Sequence, residues 1–137
     1  AMIFVLIVGT YAPVSLVVLG ERGLGTVFGA VCAVSVLGFG VTVAWPRAPK
    51  WLLAAVYLLV GWLGVARISA LFAVVGFSGT LMLALGGVLY TIGAVVYALR
   101  RPDPAPRVFG YHEIFHALVI VAAGVHFGFM AFWVLPH

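Results

Sequence analysis

Charge is what this sequence most lacks. Seven basic and three acidic residues make up 7% of its 137 positions, where ordinary soluble domains carry roughly a quarter. A soluble fold of this size could not cover its surface with so few ionised groups, so a soluble globular domain is excluded. An intramolecular disulfide is excluded as well, because Cys32 is the one cysteine; it reads as a small packing residue. Neither an internal repeat nor a second domain is visible. The only polar linker is Arg101-Pro102-Asp103-Pro104-Ala105-Pro106-Arg107, whose prolines favour an extended course.

What is present in quantity is apolar surface, at 66% of all residues. The charges fall at Glu21, Arg22, Arg47, Lys50, Arg67, Arg100, Arg101, Asp103, Arg107 and Glu113, leaving uncharged runs 1–20, 23–46, 51–66, 68–99 and 114–137. A helix needs about 20 apolar residues to cross a bilayer core of ~30 Å. Four of these runs meet that length. The fifth, 51–66, is short but is bounded by Trp51 and Arg67, which suit the two interfaces. The sequence therefore predicts an all-α integral membrane protein, a bundle of about five transmembrane helices forming one domain over 1–137. The expected spans are 2–20, 24–45, 51–66, 80–99 and 111–135. One helix over 68–99 would be ~48 Å long, too long for the core, and Gly76-Phe77-Ser78-Gly79 is the natural break. Residues 68–75 then lie at the interface or fold back on the bundle.

A net charge of +4 raises the question of nucleic acid, but the basic residues sit in short loops between apolar runs, which argues against it. The same distribution orients the chain. Arg47, Lys50, Arg100, Arg101 and Arg107 fall on one side, Arg22 and Arg67 on the other, and the richer side faces the cytoplasm. His137 then ends outside. A cleaved secretory signal fits poorly, since the first run is long and lacks a basic flank.

Several residues within the spans carry packing expectations. Pro13 cannot donate to the Gly9 carbonyl and should kink the first helix near Thr10-Tyr11, whose hydroxyls could satisfy freed backbone. Gly86, Tyr90, Gly93 and Tyr97 form one stripe, and Gly25, Gly29, Gly61 and Ser69 offer further small surfaces for close helix approach.

Chemistry concentrates in Gly110-Tyr111-His112-Glu113-Ile114-Phe115-His116. Two histidines four apart on a helix lie ~40° apart around the axis and ~6 Å along it, so both imidazoles can reach one metal ion. The alternative is that His112 and Glu113 are polar first-turn residues at the interface, a reading that fits the deeper His116 less well. The string also matches the His-Glu-x-x-His helix of soluble metalloproteases, but Glu113 points ~100° away from His112 and no third ligand follows. Glu113 is better placed as a helix N-terminal or outer-sphere group than as a general base. His126 lies ~15 Å beyond His116 along the axis and ~80° around it, which excludes it from the same ion and leaves hydrogen bonding or packing.

Five separated motifs carry a resemblance over the whole chain. Gly9-Thr10-Tyr11-Ala12-Pro13, Tyr57-Leu58-Leu59-Val60-Gly61-Trp62, Gly86-Gly87-Val88-Leu89-Tyr90-Thr91-Ile92-Gly93, His112-x-x-x-His116 and Val125-His126-Phe127 resemble the bacterial hemolysin III family, itself similar to the progestin and adipoQ receptors, which include the adiponectin receptors. The resemblance implies a bacterial plasma-membrane protein and the last five of seven transmembrane helices. It further implies a zinc ion near the cytoplasmic leaflet held by His112, His116 and a histidine of an upstream helix, with a serine and an acidic residue nearby. Those upstream elements would precede Ala1. The activity implied is hydrolysis of a lipid amide or ester, with membrane lipids and an acyl-chain or ceramide-type ligand as partners. Two other readings stand beside it: zinc as a non-enzymatic clasp in a receptor-like protein, and haemolytic pore formation. The pore is disfavoured because no span shows a polar stripe fit to line a water channel.

Overall fold

A computed structural model of the chain describes residues 2–18, 24–105 and 107–136. Among them the regular structure is helical, apart from one isolated bridge between Ala105 and Phe109 in the proline-rich linker. Helix α1 spans Met2–Pro13 and passes into a wider π-type turn, Val14–Val18. A second π-type turn, Leu24–Phe28, leads into α2, Gly29–Ala44. Helix α3 is Lys50–Trp62, α4 is Ile68–Leu99 and α5 is Tyr111–Phe129.

Side-chain contacts define the arrangement. Phe4 of α1 lies against Gly38 of α2 with no room for a Cβ between them, and its ring sits 4.8 Å from that of Tyr57 on α3. Trp62 Nε1 of α3 donates to Thr91 Oγ1 of α4 at 3.0 Å. Farther along the same pair, Lys50 Nζ lies 5.0 Å from the centre of the Tyr97 ring, so α3 and the second half of α4 run antiparallel. Among the described elements α4 and α5 make the most extensive contact, where Tyr97 faces Phe115 at 4.9 Å; in the π-type turn Met130–Val134 that continues α5, Trp133 Nε1 donates to Ser78 Oγ at 3.1 Å. Among the described residues the result is five helical legs that alternate in direction.

The reversal between α3 and α4 has two parts. Residues Leu63–Arg67 tighten into a 3₁₀ turn, and Gly76 adopts φ 68°, ψ −170°, a left-handed φ that glycine reaches without a Cβ clash. The expected break thus falls at Gly76, while helix continues on both sides of it. Residues 68–75 fold back on the bundle, where Leu71 and Val75 pack with Val14, Phe129 and Val134. A second cluster joins Val27, Val31 and Val60. The turn between α2 and α3 follows from its prolines: Pro49 is extended at ψ 137°, and its carbonyl accepts from Leu52 N at 3.0 Å to open the helix.

Expectations at Tyr11, Gly29 and Gly61 change, while those at Gly86 and Gly93 hold. Tyr11 does not repair its own kinked helix: its hydroxyl donates to the Gly61 carbonyl at 2.8 Å and accepts from Gly64 N–H at 2.8 Å, bridging to the end of α3. Gly29 and Gly61 are not points of close approach, since a Cβ there would meet nothing within 4 Å. Gly86 and Gly93 are such points: a Cβ on Gly86 would run into His126, and one on Gly93 would lie 3.5 Å from Leu118 Cβ. The expectations for Glu21, Arg22 and His137 lie outside the described residues.

The outward surface is apolar. Large side chains such as Val36, Phe127 and Phe132 are 70%, 74% and 72% exposed, a distribution that water penalises and lipid does not. Thr26–Ala44, Tyr111–Val134 and the folded-back stretch Lys50–Leu99 are long and apolar enough to cross a membrane. The protein is an integral membrane protein built as an all-helical bundle.

Candidate metal centre

The start of α5 is fixed before its histidines are placed. Gly110 is extended at ψ −168°, and its N–H donates to Glu113 Oε2 at 2.8 Å. The next amide, Tyr111 N–H, donates to Asp103 Oδ1 at 3.2 Å. Two amides at the helix start, which a helix leaves without intrahelical partners, are thereby satisfied by two carboxylates. A Cβ on Gly110 would collide with the Asp103 carboxylate, so glycine makes room for this cap. Phe115, 7% exposed, sets the rotation of the helix by packing on Tyr97.

With Phe115 inward, His112 and His116 share an outward face. Their rings are nearly perpendicular, at 89°, with centroids 4.5 Å apart. Their Nε2 atoms face each other at 3.1 Å. Two nitrogens each ~2.05 Å from one zinc at the tetrahedral angle lie about 3.3 Å apart, so the pair fits a shared ion with little adjustment. Without metal the same geometry holds one imidazole N–H against the other ring's lone pair. Both side chains are exposed, open to further ligands. Among the described residues no third His, Cys, Asp or Glu completes a metal-binding group with them.

Glu113 is drawn to the helix start rather than to the imidazole pair. His126 lies elsewhere: its Nε2 is 3.2 Å from the Leu83 carbonyl oxygen and its ring 5.4 Å from that of Tyr90. It helps wall an apolar chamber of about 110 Å³ between α1, α3, α4 and α5, together with Tyr11, Trp62 and Leu71. Sequence reasoning missed two participants. Asp103 looked like linker, though an acidic residue shortly before a helix is a capping signal. Lys50 looked like loop charge, yet its Nζ donates to Tyr111 Oη at 2.7 Å, beside the histidines.

The sequence pattern shared by haemolysin-III-related proteins matches residues 1–127. The chain belongs to that family. Relatives in the haemolysin III group include a hemolysin-3 homolog of Bacillus subtilis (strain 168), 30% identical over 132 residues, which cover 96% of this chain and 59% of that protein. Hemolysin-3 of Bacillus cereus is 29% identical over 134 residues, covering 98% of this chain and 58% of its own length. An ADIPOR-like receptor, IZH2 of Saccharomyces cerevisiae (strain ATCC 204508 / S288c), is 49% identical over 47 residues, 31% of this chain and 15% of that protein. The haemolysin-III-related chain thus spans about three fifths of the length of the bacterial relatives it matches. Comparison with solved structures gives no match.

Proposed function

We propose that this haemolysin-III-related protein binds zinc through His112 and His116 and, in its full-length form, hydrolyses an amide or ester bond of a membrane lipid. The observation that carries the reading is the 3.1 Å separation of the two Nε2 atoms, a span suited to one tetrahedral ion. Further ligands would come from the part of the protein that the bacterial relatives have beyond the aligned region. Zinc bound there supplies a Lewis acid for a scissile carbonyl and lowers the pKa of a coordinated water. The chain's own residues hold and orient: Asp103 and Glu113 fix the first turn, and Phe115 against Tyr97 keeps both imidazoles on one face. The apolar chamber beside Trp62 and Leu71 suits an acyl chain entering from lipid. The basic turn at Arg47 and Lys50 and the linker from Arg100 to Arg107 share one end of the bundle, which we assign to the cytoplasmic side of the membrane.

A second reading is zinc as a clasp in a receptor-like protein. It is favoured by the engagement of Glu113 on the helix cap, which leaves no carboxylate among the described residues acting as base at the histidine pair. Zinc analysis of the purified full-length protein, with turnover of ceramide-type amides and simple lipid esters, separates the two. Stoichiometric zinc with turnover supports the hydrolase; stoichiometric zinc without turnover, but with a melting temperature that falls on chelation, supports the clasp. Full zinc occupancy in the His112→Ala/His116→Ala double variant removes both.

A further inference from the structure

The end of the bundle that carries the histidines also gathers five of the seven basic residues. Lys50 opens α3 and donates to Tyr111 at the start of α5, so the basic turn holding Arg47 is pinned beside the linker holding Arg100, Arg101 and Arg107. All four arginines are exposed, and none hydrogen-bonds or pairs with another described residue. Asp103 and Glu113 accept backbone N–H groups at the start of α5 and keep their charge, but two carboxylates against five cations leave this end net positive. Lys50 itself is held, with its Nζ 5.0 and 4.9 Å from the ring centres of Tyr97 and Tyr111. An ammonium has three N–H donors, and the Tyr111 hydroxyl takes one of them.

Apolar surface adjoins this charge. Leu99, immediately before Arg100, is 67% exposed, while Trp45 and Trp51 flank the other basic turn at 53% and 64%. A soluble phosphate would meet the guanidinium groups alone. An anionic glycerophospholipid meets both features at once, its phosphodiester on the cations and its chains along the exposed helix sides. We propose that the rim formed by Arg47, Lys50, Arg100, Arg101 and Arg107 is a binding surface for anionic phospholipid headgroups. Lipid binding at this rim requires neither zinc nor hydrolysis.

The test uses full-length protein in a neutral detergent, with added phosphatidylglycerol, phosphatidylcholine or glycerol phosphate. Retained lipid is counted by native mass spectrometry, and the melting temperature is followed. Phosphatidylglycerol should be retained and should raise the melting temperature by about 3 °C or more, while phosphatidylcholine and glycerol phosphate should not. Arg100→Gln/Arg101→Gln/Arg107→Gln should reduce retained phosphatidylglycerol about tenfold, the corresponding lysine triple should retain most of it, and Arg67→Gln at the opposite end, which removes only a bond to Thr26, should leave lipid retention unchanged. Equal retention of phosphatidylcholine overturns the proposal. So does an equal shift with glycerol phosphate, which would make this a site for soluble anions, or an equal loss in Arg67→Gln, which would make it a bulk charge effect.

Discussion

Lys50 Nζ donates to Tyr111 Oη at 2.7 Å, joining the first residue of α3 to the first residue of α5 across 61 positions of sequence. The bond holds the α5 start, and so His112, against the neighbouring helices. Tyr111→Phe keeps the ring beneath the ammonium and removes only the acceptor. A hydrogen bond of this kind contributes about 1 kcal/mol where water competes, so the melting temperature should fall by a few degrees with zinc occupancy retained. A drop no larger than that of an exposed loop substitution such as Ala105→Ser would show that the bond does not hold the helix start.

Glycine positions separate sharply. Gly86→Ala should destabilise by about 1–3 kcal/mol, because the new methyl overlaps the imidazole of His126 and forces a shift in a tightly packed pair of helices. Gly61→Ala should change stability by less than about 0.5 kcal/mol, since nothing lies within 4 Å of the added carbon. Shortening the opposing side chain in Gly86→Ala/His126→Ala should recover part of the loss. Thermal unfolding in one detergent ranks the three variants, and equal costs at the two glycines would contradict the contact between Gly86 and His126.

Metal dependence should divide the three histidines of α5. His112→Ala or His116→Ala lowers zinc content by removing one of the two facing Nε2 donors. His126→Ala leaves zinc in place, because its Nε2 is at the Leu83 carbonyl oxygen. Elemental analysis of each purified variant reads this directly, and a loss at His126 as severe as at His116 would place His126 at the metal.

Glu113 offers a test of chemistry. A general base contributes typically 10²–10⁴-fold, whereas a residue that orients its neighbours costs nearer tenfold when changed. The carboxylate accepts the Gly110 amide at 2.8 Å, a role that a glutamine side chain can keep. Glu113→Gln should therefore reduce lipid amide or ester turnover by about tenfold or less, and Glu113→Ala should also lower the melting temperature through the lost cap. A near-complete loss in the glutamine variant, with zinc retained, would make Glu113 the base.

Sidedness can be read with thiol labelling in a Cys32-free background. Cysteines at Ala48 and Ala105, both at the histidine end, should be protected from impermeant reagents in intact cells, and one at Ala66 should react. The reverse pattern would invert the orientation drawn from the basic residues.

The helical membrane character of this protein is set by composition alone. So few charges place the chain in lipid, and apolar runs too long and too uniform for the alternating strands of a barrel leave helices as the way to satisfy its backbone. Local chemistry set two further features. Gly76 is free to take a left-handed φ and breaks the run 68–99, and a four-residue spacing on any helix brings His112 and His116 onto one face.

The inward face of α4 was legible in the stripe of Gly86, Tyr90, Gly93 and Tyr97, which meets α5; on the other helices it was not, because helices that are apolar nearly all round carry no stripe that marks a core. Helical spacing had already set His126 apart from His112 and His116, but only the packed bundle sends Tyr11 to the carbonyl of Gly61, gives His126 the Leu83 carbonyl as its partner, and presses that imidazole on Gly86 instead of using Gly61 as a close contact. The tertiary structure also decided the roles of the charges near α5. Spacing placed Glu113 at the helix N-terminus, but only the folded linker brought Asp103 to the next amide and Lys50 to Tyr111. Such partners lie 8 and 61 residues apart, and no periodicity in a sequence encodes a contact that exists only when separate helices have docked.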